Sequence, residues 1–172
     1  MSTLFDVLRL FHIVAGILWV GALVMMAFFI GPTARALGPA GGAIIDHLVR
    51  VRKVPRYMMT MAIITVLAGL GLTWLHAAAT GGEWMRTSMG RMFMWGGTVA
   101  IVGFIWGAVF VARAAGHLAG RAKALADAGH PPSDHERAEL QHSSARLGSH
   151  TRAVAVLLLL ASALMATARY VP

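Results

Sequence analysis

The side chain best placed to do chemistry in an apolar setting is His12. It stands in the run His12-Ile-Val-Ala-Gly16-Ile-Leu-Trp19-Val-Gly21, inside a stretch from Leu4 to Ile30 whose only charges are Asp6 and Arg9. Helical spacing puts His12, Gly16, Trp19, Leu23 and Met26 on one face. An imidazole there has no water to bond, so it needs a metal, a ligand or a polar group of a neighbouring helix. Gly16, one turn along, leaves room for a flat molecule against the backbone. A second set of polar residues falls at the ends of the apolar stretches: Arg9, His76, Arg91 and Arg169. Imidazole ligates iron, and guanidinium pairs bidentately with carboxylates. Together these types suit a flat, apolar molecule with two carboxylates, such as haem b. The cofactor-binding candidates are therefore His12, Gly16, Trp19, His76, Arg9, Arg91 and Arg169, with His12 and His76 as metal ligands. By rise per residue His12 sits roughly 5–10 Å deeper than His76, so a five-coordinate site using His12 alone stands as the other arrangement. No catalytic residue stands out.

The elements that must hold these residues are apolar helices. The chain has 172 residues, 58% hydrophobic and 13% charged, with a mean hydropathy of +0.68. That composition belongs to integral membrane proteins. Four apolar segments, about 4–30, 57–78, 89–112 and 150–170, each approach or exceed the length needed to cross a ~30 Å hydrocarbon core. They predict one all-α domain, an up-and-down bundle of four spans in the bilayer. Ala34-Arg35-Ala36 has the look of a signal-peptide cleavage site, but the first stretch is too long and lacks a basic leader, so it reads as a span. Gly31-Pro32 is expected to end it. Residues 43–53 read as a short amphipathic helix on the membrane surface, with Ile44, Leu48 and Val51 on one side and His47, Arg50 and Lys53 on the other. Pro55 suits the first turn of span two, and the short connection 79–88 predicts spans two and three as antiparallel neighbours. Gly96, Ala100, Gly103 and Gly107 form a stripe that permits close helix approach.

The apolar face of span three continues through Leu118, Ala122 and Leu125. A turn at Gly129-His130-Pro131-Pro132 follows, and Ser133 with Glu136 makes a capping-box pattern. This predicts a projecting hairpin over 113–149, with Leu118 and Leu125 facing Leu140 and Leu147. Phe29-Ile-Gly-Pro-Thr-Ala-Arg-Ala-Leu37 after span one also echoes Phe110-Val-Ala-Arg-Ala-Ala-Gly-His-Leu118 after span three, as a duplicated hairpin would. Eleven of the fifteen lysines and arginines fall in the connections after spans one and three. By the positive-inside rule both termini then face outward and the hairpin lies in the cytoplasm.

Composition also excludes. Without cysteine there are no disulfides, thiolate metal sites or Fe–S clusters. The net charge of +8 is spread around the apolar spans instead of forming one patch, which argues against nucleic acid as a partner. The membrane interior offers no acidic or lysine relay for an ion pump. No phosphate-binding loop, nucleophile elbow or zinc-protease helix is present. His135 and His142, seven apart, form at most a loose metal pair. Copper(I) is an alternative cofactor, carried by Met85, Met89 and Met92 at i, i+4 and i+7 and by Met58, Met59 and Met61.

The pattern His12-x6-Trp19-x-Gly21 resembles the first helix of a group of small four-span bacterial membrane proteins. The group includes the haem-binding, oxygen-independent type of protoporphyrinogen oxidase, CopD-like copper-resistance proteins and the membrane domain of membrane-bound urate oxidase. Met59-Thr60 and Ile64-Thr65-x-Leu67-x-Gly69-x-Gly71 resemble the second helix of the oxidase. The likeness covers the layout of all four spans but only these two stretches in residues. It implies a haem b site using His12, and oxidation of a porphyrinogen or a related electron-transfer step. Arg91 and Arg169 stand where the family tends to have lysine. Arginine keeps the charge but does not readily release a proton, so the match breaks where proton abstraction would need it. The hairpin is also longer than the family's compact loop. Two other roles remain open: a non-catalytic accessory subunit docking to other membrane subunits, and a CopD-like copper permease. A haem protein would in turn need a redox partner.

Overall fold

A computed structural model of the chain describes residues 3–129 and 131–171; His130 of the predicted turn lies outside them. Among the described residues there are helices and turns and no strand. Four helices are long and apolar enough to cross a membrane: α1, Thr3–Ala36; α3, Val54–Ala79; α4, Ser88–Asp127; and α5, Asp134–Tyr170. A shorter helix, α2, occupies 39–51.

Gly31-Pro32 does not stop α1. The turn Met26–Ile30 widens so that the Gly31 N–H bonds to Met26 O, five residues back, and the helix carries on to Ala36. Proline lacks an N–H and crowds the carbonyl four residues before it, and a widened turn just ahead relieves both problems. A second widened turn spans Gly107–Val111 in α4. Phe29 and Phe110 each stand fourth in their turn, but His47–Val51 in α2 widens in the same way outside the echoed stretches.

Beyond Gly38, whose φ of +57° reverses the chain, α2 folds back against the end of α1. Gly41 makes that possible: a Cβ there would fall on the Ala34 backbone. Pro55 sits in the first turn of α3 as its sequence suggests. Gly81 and Gly82, at φ +58° and +86°, turn the chain towards a single helical turn at Glu83–Arg86. The Gly90 N–H then donates to Thr87 Oγ1 (3.0 Å) to cap α4. At α5 both halves of the expected capping box are present: Ser133 N–H donates to Glu136 Oε2 (2.7 Å) and Glu136 N–H to Ser133 Oγ (3.3 Å). The lower half of α4 packs on α5. Arg121 and Glu139 join them at 3.2 Å, and Leu118, Leu125, Leu140 and Leu147 are each half-buried.

The helices pair two by two. α1 lies along α3, α4 lies along α5, and α1 also touches α5, whereas α3 and α4 meet only narrowly. The short connection does make α3 and α4 neighbours, but only narrowly, and the wide contacts follow glycine faces. A Cβ on Gly96 would sit 2.7 Å from Met165 Cγ, and one on Gly103 would sit 3.1 Å from Leu158 Cδ2, so α4 fits α5 closely. On α3, Gly69 and Gly71 do the same for His12 and Leu8 of α1. Contacts descend one helix as they ascend the other in both pairs.

Trp19, Leu23 and Ala27 of α1, Ala62 of α3, and Val154, Ala155 and Leu158 of α5 form the core. Elsewhere the helices turn large apolar groups outward, with Trp74 70% and Ile17 67% exposed. Leu158 is the largest fully enclosed side chain. Leu158→Ala is expected to lower stability by about 3 kcal/mol through the cavity it leaves, measurable by unfolding of the purified chain in detergent. A loss below about 1 kcal/mol would mean that the α1–α4–α5 contact is loose.

Candidate functional site

The His12 ring lies between α1 and α3. Its Nδ1 is 2.8 Å from the main-chain oxygen of Thr65, so Nδ1 carries the proton and donates it. Thr65 is buried, and its hydroxyl donates to Met61 O at 2.7 Å. What exposes the Thr65 carbonyl is Gly69. A helical side chain covers the turn N-terminal to its own Cα, which is where the carbonyl four residues earlier lies. With no side chain at 69, the imidazole rests in that place: a Cβ there would be 2.8 Å from His12 Cε1 and 2.9 Å from Nδ1. Thr73 Oγ1 donates to Gly69 O at 3.0 Å on the next turn.

The other ring nitrogen, Nε2, has no hydrogen-bond partner among the described residues. It is not sealed away either, since the one enclosed and unpartnered side-chain nitrogen or oxygen among them is Trp84 Nε1. With the proton fixed on Nδ1, the Nε2 lone pair is free to accept a proton or bind a metal. That is the chemistry this arrangement can perform.

Gly16, Trp19 and His76 do not form an open seat beside this ring. A Cβ on Gly16 would meet Thr65 Cγ2 at 3.6 Å, so Gly16 seats the Thr65 methyl group instead of facing an open slot. Trp19 is 6% exposed and belongs to the core, edge-on to Phe104 with ring centroids 6.2 Å apart. His76 packs against Phe5 (5.5 Å) and Trp84 (4.7 Å). Phe5 is seven residues before His12, about 10 Å along the helix, so the two histidines occupy different levels. Arg9, Arg91 and Arg169 are all exposed and have no ion-pair partner among the described residues. The Arg169 guanidinium lies 6.0 Å from the ring centroid of its neighbour Tyr170.

Away from His12, Trp106 Nε1–H donates to His150 Nδ1 (3.4 Å), beside Phe110. Among the described residues no three His, Asp or Glu side chains converge as metal ligands. The helical spacing of Met85, Met89 and Met92 also fails. Met85 belongs to the separate turn Glu83–Arg86, and the extended backbone at Thr87 breaks the helix before Met89. Met58 and Met61 pack against the core.

Thr65 and Gly69 are the site residues that sequence reasoning did not nominate. The available signal was Thr65-x3-Gly69 in an apolar helix, a glycine one turn after a carbonyl that it leaves uncovered. No family model, curated protein or solved structure matches the chain.

Proposed function

We propose that this chain is a multi-pass protein of a bacterial inner membrane, an up-and-down bundle of four spans that holds haem b through His12 Nε2. The observation that carries the reading is the ring's fixed tautomer: Nδ1–H held by Thr65 O, and Nε2 not fully enclosed and without a hydrogen-bond partner among the described residues. An imidazole held this way by a backbone carbonyl is oriented as metal-ligating histidines are. The ligating atom fits the cofactor; the seat expected beside Gly16 does not, and His76 lies too far along the helix to share one iron. His12 alone is therefore the residue that would hold the iron. Haem, when bound, supplies one-electron redox chemistry. Arg9, Arg91 and Arg169, which have no carboxylate partner among the described residues, are the candidates to pair with propionates.

The topology proposed has both termini outside and the hairpin 113–149 in the cytoplasm, supported by the distribution of lysine and arginine. The resemblance to the porphyrinogen-oxidase and CopD-like group adds the reaction class, electron transfer with a porphyrinogen or related donor. Absorption spectroscopy tests the reading. Full-length protein expressed with haem available and purified from membranes should show a Soret band, and a colourless preparation would rule it out.

A second reading has its own support. The bond from His12 to Thr65 O also satisfies a histidine that serves only to join α1 to α3, as suits an accessory subunit whose outward apolar faces dock elsewhere. Colourless protein that loses stability on His12→Ala would favour it.

A further inference from the structure

Where α4 enters its widened turn, Trp106 meets His150 of α5. The indole Nε1–H donates to His150 Nδ1 at 3.4 Å, and Phe110 stacks on the imidazole with ring centroids 5.9 Å apart. An indole nitrogen only donates, so Nδ1 is the bare nitrogen and the ring proton sits on Nε2. This is the opposite tautomer to His12. There a second proton would go to Nε2 and leave the bond to Thr65 O intact. On His150 it must go to Nδ1, where it would face the Trp106 N–H and break the bond.

The contact stands at the root of the hairpin. The turn Gly107–Val111 begins one residue after Trp106, and the Ala112 N–H reaches back five residues to Gly107 O. Such a turn interrupts the regular ladder and is a place where helices bend. On one side of it, Val154 and Ala155 are locked in the core. On the other, α4 and α5 are joined by half-buried leucines and by the exposed pair Arg121–Glu139, and exposed pairs hold weakly.

The surroundings would not compensate a charged ring. On α4 the nearest charged group in sequence is Arg113, three residues beyond Phe110; on α5 they are Arg146 and Arg152. From α1, Arg35 lies against Gly148. All are cations, and no Asp or Glu stands within ten residues of Trp106, His150 or Arg35. The other titratable groups on the two helices nearby are His117 and His142, each about two turns away.

We infer that His150 is a proton-operated latch between α4 and α5: the neutral ring holds the root of the hairpin closed, and protonation releases it. Histidine changes charge between about pH 5 and 8, so the bond is present at the upper end of that range and lost towards the lower. The inference does not depend on haem.

The chain has no cysteine, so one introduced thiol reports on one place. Val111 is half-buried and packed against the core, whereas Ala112 beside it is exposed. With the full chain in detergent, labelling by an aromatic disulfide is timed for Val111→Cys and for Ala112→Cys, and the ratio of the two rates removes the effect of pH on the thiol itself. Between about pH 8 and about pH 5 that ratio should rise about five-fold, the effect of losing one hydrogen bond. His150→Asn should abolish the rise, because its amide oxygen can accept from Trp106 and takes up no proton. Trp106→Phe should abolish it as well, having no bond to lose, so either variant serves if the other fails to fold. A constant ratio in the chain with native His150, or a rise that survives in folded His150→Asn or Trp106→Phe, would overturn the inference.

Discussion

On the proposed haem reading, Gly69→Ala is expected to remove the pigment although residue 69 supplies no ligand. The added methyl group would lie 2.8 and 2.9 Å from two atoms of the His12 ring, closer than carbon atoms tolerate. A long, flexible side chain could step aside. The imidazole cannot do so cheaply, because leaving Gly69 means leaving the Thr65 carbonyl 2.8 Å away. An N–H stranded in an apolar setting costs about 1–3 kcal/mol, and a ring turned off its axis no longer presents Nε2 in one direction. The Soret band should fall at least ten-fold and stability by a similar ~1–3 kcal/mol. Gly97→Ala is the matched control. Nothing lies within 4 Å of a Cβ there, so it should leave the pigment intact and raise stability by about 0.5–1 kcal/mol, the helix preference of alanine. If both variants keep full pigment, the ring is not held as described.

The second large effect separates the two roles of His12. His12→Ala deletes both the bond to Thr65 O and the free nitrogen, so pigment and about 1–2 kcal/mol of stability should go together. His12→Asn splits them. The asparagine amide N–H₂ can reach the place of Nδ1 and donate to the same carbonyl, but it has nothing at the place of Nε2. A colourless asparagine variant with near-native stability is the expected result. Pigment surviving in His12→Asn would assign the iron to another residue. Wild-type protein that is colourless, yet sensitive to alanine and not to asparagine, would establish a purely structural histidine.

These variants depend on residues that differ in how readily the sequence discloses them. The long apolar helices, the Ser133–Glu136 cap, Pro55 in a first turn and the close-approach glycines of α4 are written in local pattern. Each depends on spacing within a few turns of one helix, and hydrogen-bond chemistry at helix ends is likewise local. Proline 32 shows the limit even there. Its clash with the preceding carbonyl can end a helix or widen it by one residue, and the surrounding packing selects between them.

Trp19 and Gly16 show a different limit. The periodicity that puts them on the face of His12 is sound, yet a helix face is wide enough to touch two neighbours. Trp19 turns into the core against Phe104, and Gly16 receives the Thr65 methyl group. Periodicity says which residues face inward, not what each will meet.

From composition and spacing alone follow an all-helical chain, four helices of membrane-crossing length and a histidine that must find a partner in an apolar setting. These are properties of single segments, set by hydropathy and by backbone groups that must bond within their own helix. The identity of the partner, the carbonyl of Thr65 uncovered by Gly69, comes from the packed molecule. It requires α1 to lie along α3 in one register, 53 residues apart in sequence, and that register is set by how side chains of two helices interlock.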